Sequence, residues 1–235
     1  IVGAGAAGIT LALELIEKNI SAILLESGGL EYEQETQDLY SGDNIGHKSE
    51  VGRENPTKSC RLRYFGGTTN HWVGNCRKLD EVDFVKKSWA PGTGWPVPYG
   101  EIDKYYDKAS IICQTRGGDY SPEAWVDNGA PQPYKIKGNK LFNTVYQQSP
   151  PTRFGKKYRE KLLNSKIIKV LLYSNATEIN LSTNSEEVSS VKVKTLDGKR
   201  QYFVHAKHYV VATGGIENAR LLLSSRSNQA HGIGN

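Results

Sequence analysis

The sequence predicts the α/β class: a doubly wound, mostly parallel sheet that carries an antiparallel β-meander and a loop-rich insertion. Three observations predict it. The chain opens on the end of a buried strand that runs through Gly3-Ala4-Gly5-Ala6-Ala7-Gly8, a G-x-G-x-x-G turn, into a helix. A second strand–glycine–helix unit stands near the other end, with apolar residues 209–212, then Thr213-Gly214-Gly215, then a helix over 217–224. Between the two lie short runs in which apolar and polar residues alternate, as half-buried antiparallel strands require. Helix and parallel strand at both ends, with a meander between, give the class.

Each element has its own warrant. In the opening turn Gly3 permits the tight bend, Gly5 lets a pyrophosphate approach the backbone, and Gly8 lets the helix lie against the sheet. Ile9, Ala12, Leu13 and Ile16 recur at helical spacing, and Asn19 is a helix stop. Ser21-Ala22-Ile23-Leu24-Leu25 suits a second buried parallel strand. Glu26 closes that strand, where an acid should meet a ribose hydroxyl pair, and Ser27-Gly28-Gly29 is a turn. A solvated strand-end charge is the plain alternative for Glu26. Residues 31–59 are polar; a short helix is expected near 33–39, then loop. The stretch from Arg61 to Cys76 holds Gly66, Gly67, Thr68, Thr69, Asn70, His71 and Trp72. It is poor at forming a regular element and suits backbone that passes close to a planar ligand. Residues 77–160 are rich in proline and tryptophan and read as an ordered but irregular excursion, with helical spacing at Ile102, Tyr105, Tyr106 and Ala109. Trp125 reads as packing material; Trp89 and Trp95 fit packing and function equally well. Strands are expected over 167–173, 178–181, 188–196 and 201–206, with a hairpin turn at Asp197-Gly198.

Composition narrows the function. The chain has 235 residues, 37% hydrophobic and 23% charged, the balance of ordinary globular protein. A net charge of +5 without a basic run gives no nucleic-acid arm. Three cysteines, Cys60, Cys76 and Cys113, form neither C-x-x-C nor a zinc spacing. No apolar run approaches a membrane span. The compartment stays open between cytoplasm and periplasm. The chain has no Met and begins two residues before Gly3, so it is expected to be a fragment.

The motifs Gly3–Gly8, Glu26-Ser27-Gly28, Gly66-Gly67-Thr68-Thr69-Asn70-His71-Trp72 and Ala212-Thr213-Gly214-Gly215-Ile216-Glu217-Asn218-Ala219-Arg220 together resemble the glucose–methanol–choline (GMC) oxidoreductases, in particular the sugar-oxidising branch around pyranose oxidase. The resemblance implies a Rossmann-like FAD-binding domain and oxidation of an alcohol or sugar CH–OH by hydride transfer to the flavin. By position it implies that Gly3, Gly5, Ala6, Ala7 and Gly8 meet the pyrophosphate. Glu26 would meet the adenosine ribose and Ala176 the adenine, with Ser27 also at the cofactor. Gly66, Gly67 and Thr68 would lie along the flavin side and Gly214 and Gly215 on the second cofactor-side turn, with Asn70, His71, Trp72 and Thr213 also at the cofactor. His71 matches a histidine that some members bond covalently to the flavin; a histidine that only hydrogen-bonds its neighbours is the alternative. Val73 departs from a hydroxyl residue found beside the flavin in that branch. His47, His205, His208 and His231 have no motif around them, and His205 and His208 are expected at the surface.

The family's catalytic base is a histidine paired with a second His or an Asn near the C-terminus. The chain ends before such a pair, so no base is assigned, the C-terminal substrate domain is expected to be missing, and the fragment alone is expected to be inactive. The expected organisation is an FAD-binding domain in two parts, residues 1–76 and 161–235, around an insertion at 77–160. The partners implied are a small alcohol or sugar and an electron acceptor: oxygen, a quinone or a cytochrome subunit. An NAD(P)-linked dehydrogenase and a non-catalytic flavin-binding subunit are the competing readings; the stretch around Gly66 and the late Gly214-Gly215 turn argue against the first.

Overall fold

The computed structural model describes residues 1–43, 56–126, 129–138, 140–184, 186–227 and 229–234. His47 lies outside them. The chain divides into two compact units, Ile1–His71 with Arg153–Asn235, and Trp72–Thr152.

In the first unit the opening helix runs over Ala6–Glu17 and buries Gly8, Ile9, Ala12 and Leu13, the apolar stripe read from the spacing. It stops where Asn19 takes a left-handed φ of 54°. The strand Ala22–Leu25 follows and pairs in parallel with Ile168–Leu171, from Ala22↔Ile168 to Leu25↔Leu171. Val2 extends this ladder through single parallel bridges to Leu25 and to Val211. Four hydrogen bonds make those bridges: Gly3 N–H to Leu25 O and Val2 N–H to Val210 O at 2.8 Å, Ala212 N–H to Val2 O at 2.8 Å, and Leu25 N–H to Ile1 O at 2.9 Å. Residues 209–212 therefore run parallel as expected, but they make one bridge rather than a full strand. Gly3, with a φ of +100°, then turns the backbone away.

The two faces of this ladder are covered differently. Leu25 and Val2 join Ile179, Val191, Val193 and Leu221 in one buried cluster, with Ile23 and Leu171 packed against it. Leu24 is also buried but outside that cluster. Successive strand residues face opposite ways, so Leu24 faces the side where Ala6–Glu17 packs. The meander Asn175–Leu181, Val188–Lys194 and Gln201–Val204 is antiparallel throughout, with a register shift between Ala176 and Glu178. Together with the helix Gly215–Ser224 it supplies the apolar cover on the Leu25 side. The α/β class is present. Its sheets are small: among the described residues of this unit, one two-stranded parallel pair and one three-stranded meander.

Strand ends fall short of the apolar runs for local reasons. Ile168–Leu171 ends before Tyr173, which has a φ of 54° and donates its hydroxyl to Glu33 Oε1 at 2.8 Å. The hairpin at Asp197-Gly198 is longer than a two-residue turn, closed by Thr195 N–H to Arg200 O at 3.1 Å. The helix expected near 33–39 is Gln34–Asp38.

The second unit carries short helices, among them Tyr99–Asp103 and Tyr106–Cys113, and a two-residue ladder of Asn75–Cys76 with Gln147–Gln148. The helical spacing at 102–109 is thus split between two helices. Trp125 donates its indole N–H to Asp119 O at 2.7 Å, Trp95 lies 5.7 Å from the Phe84 ring, and Trp89 is exposed.

Candidate functional site

The first unit encloses a cleft of ≈ 1070 Å³. Its floor is the opening glycine turn. The three glycines there do different things. A Cβ on Gly3 would lie 2.7 Å from Ala212 O, and one on Gly8 only 1.9 Å from Gly3 O. These two are required by packing, and Gly3 by its φ as well. Gly5 has an ordinary φ of −83°, and a Cβ there would meet nothing within 4 Å. Neither backbone nor packing needs a glycine at position 5, whereas a ligand lying on the turn would. Ala6 and Ala7 line the cleft and are exposed. They begin a helix whose first N–H groups have no partner within the helix and whose dipole favours an anion.

The second glycine pair sits against the first. Gly66 N–H donates to Ala4 O at 2.8 Å, and a Cβ on Gly67 would lie 3.1 Å from Gly5 Cα. Gly66 itself has a φ of +101° and lies so close to Gly155 that a Cβ would come within 2.5 Å of its nitrogen. Residues Gly67–Asn70, expected to be irregular, form one turn of 3-10 helix. Side-chain bonds tighten it: Thr69 Oγ1 donates to Gly66 O at 2.6 Å and Asn70 Nδ2 to Phe65 O at 3.0 Å.

Glu26 is 6% exposed. Its Oε2 accepts Ala4 N–H at 2.9 Å and its Oε1 accepts Gly28 N–H at 3.0 Å. Burial pushes its pKa up, while these backbone donors and the charge of Arg63 pull it down; the net direction is upward. The carboxylate is therefore no solvated strand-end charge. It is held by two N–H groups, and each oxygen keeps acceptor capacity.

Of the residues expected at a cofactor, Gly3, Gly5, Ala6, Ala7, Glu26, Ser27, Gly67, Thr68, Ala176, Thr213 and Gly214 line this one cleft. Gly8 lies beneath the turn, and Gly66 and Asn70 shape the 3-10 turn without lining the cleft. His71 is exposed at the end of that turn and does not line the cleft, its N–H donating to Thr68 O at 3.2 Å. Trp72 belongs to the second unit, where its indole donates to Thr152 O at 2.9 Å. Thr213 is fixed by Asn218, whose Oδ1 accepts both its N–H at 2.9 Å and its hydroxyl at 2.6 Å.

The sequence reading missed a charged group on the same cleft: Arg61, Arg63, Glu217 and Arg220. Glu217 is buried and accepts Arg61 at 2.8 Å and Arg63 at 3.0 Å. Both guanidiniums also stack on Tyr40, at 4.0 and 4.9 Å from its ring centre. The available signal was the alternation Arg61-Leu62-Arg63 just before the glycine pair, which places two cations on one side of an extended segment. Among the described residues no three His, Cys, Asp or Glu side chains cluster to hold a metal, and no helix is long and apolar enough to cross a membrane.

A glycine turn at a helix start, an acid at the end of the next strand and a cleft that both line thus stand together in the first unit. Compared with known proteins, the chain resembles the GMC oxidoreductases in sequence and in fold. It is 22% identical to the fructose dehydrogenase large subunit of Gluconobacter japonicus, over all of the chain and 55% of that protein. Among solved structures it is similar to pyridoxine 4-oxidase from Mesorbium loti, with a TM-score of 0.57 at 18% identity, over 95% of the chain and 50% of that protein. A fungal aryl-alcohol oxidase matches with a TM-score of 0.56 at 14% identity, over 95% of the chain and 46% of that protein. A formate oxidase of Aspergillus oryzae, described for the modification of its FAD, matches with a TM-score of 0.52 at 19% identity, over 96% and 46%. The chain thus spans about half the length of the relatives it matches. No family model matches it.

Proposed function

We propose that the chain is the FAD-binding part of an oxidoreductase that oxidises an alcohol or sugar CH–OH group, and that its parallel ladder is the core of a Rossmann-like domain. The observation that carries this is Gly5: a glycine open to the cleft, beside free helix N–H groups and a buried acid, in a cleft of ≈ 1070 Å³. When bound, the flavin supplies the hydride acceptor. The chain's own residues bind and orient it. The amides of Ala6, Ala7 and Gly8 face the pyrophosphate, Glu26 accepts the ribose hydroxyls, and Gly66, Gly67 and Thr68 set the path of the backbone on the flavin side. Ala176 lies at the adenine, and Thr213 and Gly214 bound the cofactor from the late turn. The base that takes the substrate proton is not among these residues. The relatives' names support a small-molecule substrate, and the words "large subunit" support an electron acceptor carried by a partner.

The test is titration of the purified protein with FAD, followed by flavin absorbance and fluorescence after gel filtration. One FAD retained per chain is expected. Retention of NADH or NADPH in its place would replace this reading with the nicotinamide-linked one.

A further inference from the structure

Three guanidiniums crowd one carboxylate in the lining of the cleft that Glu26 also lines. Glu217 takes Arg61 on Oε1 at 2.8 Å and Arg63 on Oε2 at 3.0 Å, and Arg220 reaches Oε2 through Nε at 2.9 Å. Arg63 also donates its Nε to Ser27 Oγ at 2.6 Å, and that hydroxyl donates to Asn175 Oδ1 at 2.6 Å. The backbone N–H of Arg63 is held by Gln37 Oε1 at 3.1 Å. Arg63 is thus anchored on Ser27, one residue beyond Glu26, and its carbonyl lies so close to Gly28, whose N–H Glu26 accepts, that a Cβ on Gly28 would come within 2.3 Å of it.

This nearness is a hazard for binding. Glu26 already accepts one backbone N–H on each oxygen. A guanidinium fork takes both oxygens of a carboxylate at once, so an Arg63 turned toward Glu26 would occupy the acceptor positions that a ribose diol needs. Glu217 offers Arg63 a second carboxylate that is itself buried and shared with two further arginines.

We propose that Glu217 is a positioning residue: it holds Arg63 away from Glu26 and so keeps the Glu26 carboxylate open to the hydroxyls of the adenosine ribose. This rests on the FAD reading above. It makes Glu217 matter for binding without touching the ligand, and it makes Arg63 a competitor for Glu26 rather than a ligand-binding group.

The experiment is calorimetric titration of the protein with FAD and with AMP, which carries the adenosine half alone. Glu217→Gln is expected to weaken AMP binding on the order of tenfold, the scale of one charge-assisted hydrogen bond. Arg63→Gln leaves Glu217 paired with Arg61 and Arg220 and is expected to stay within about threefold of the parent protein. The decisive variant combines the two: Arg63→Gln in the Glu217→Gln background should recover AMP affinity, because the competitor is gone. A structural role for Glu217 predicts the opposite, a double variant as weak as the single one or weaker. Glu217→Asp, which keeps the charge, should bind better than Glu217→Gln and covers the case in which the latter does not fold. Undiminished affinity in Glu217→Gln, equal loss in both Glu217 variants, or a loss that Arg63→Gln fails to relieve overturns the proposal alone. Absence of FAD and AMP binding by the parent protein overturns the FAD reading and this proposal with it.

Discussion

At the scale of single residues the three glycines of the opening turn separate stability from binding. Gly8 has no room for a Cβ, its nearest neighbour being Gly3 O at 1.9 Å, so Gly8→Ala is expected to cost about 3 kcal/mol or more through overpacking against backbone that cannot yield. Urea denaturation measures it. Gly5→Val is expected to leave the urea midpoint nearly unchanged, since its side chain enters open space, yet to abolish FAD retention. A variant that unfolds normally and still carries a full complement of flavin would show that nothing lies on that turn. His71 poses a separate question. Attachment to the flavin would need its ring nitrogen against the isoalloxazine, while the structure holds the residue exposed at the end of the 3-10 turn. If the bond forms in the full-length protein, acid precipitation leaves the flavin on peptides containing His71, and His71→Ala releases it. Complete release from the parent protein would leave His71 a non-covalent neighbour.

At the scale of elements, the meander and the helix Gly215–Ser224 are welded to the parallel ladder by one apolar cluster. Ile179→Ala, at its centre, should cost about 2–5 kcal/mol, read from the same denaturation curves. The charged weld is pH-dependent. Burial alone would raise the Glu217 pKa, but Arg61, Arg220 and Arg63 outweigh it and hold the carboxyl below its ordinary value. A depressed folded-state pKa contributes stability that is present above the unfolded carboxylate value of about 4.3 and lost as pH falls through the lower folded value. Glu217→Gln should therefore destabilise by about 3 kcal/mol at pH 7, with a deficit that shrinks toward zero below about pH 4. A deficit that stays constant with pH would show that the ion pairs contribute nothing. Glu26 has the opposite sign: burial raises its pKa, so its ionisation erodes stability as pH rises from the unfolded value through the folded one.

At the scale of the whole molecule, what was legible in the sequence follows from how local the cause is. The helix Ala6–Glu17, the strand Ala22–Leu25 and the stop at Asn19 rest on spacing and on one residue's conformational freedom, and the structure has all three. The antiparallel meander was legible for the same reason. The pairing of residue 2 with residue 211 follows from no local pattern, and the apolar run over 209–212 makes a single parallel bridge rather than a strand. The ion cluster was hidden because its members, at 61, 63, 217 and 220, meet only in three dimensions. The placement of His71 outside the cleft lining follows from a turn closed by Thr69 and Asn70 side chains, which composition alone does not reveal.

The bridge from Val2 to Val211 also has a consequence in time. A ribosome adds about 5–20 residues per second, so on the order of ten to forty seconds pass between the synthesis of one partner and that of the other. Throughout that interval the newborn chain has an unpaired edge at Val2. Its Leu25 face also waits for Ile179, Val191 and Leu221. Chaperones that shield apolar surface should therefore engage this protein early, and flavin should load only after residue 218 has left the exit tunnel. Ribosomes stalled before that point would carry flavin-free chains, and those stalled well beyond it would carry chains able to retain FAD.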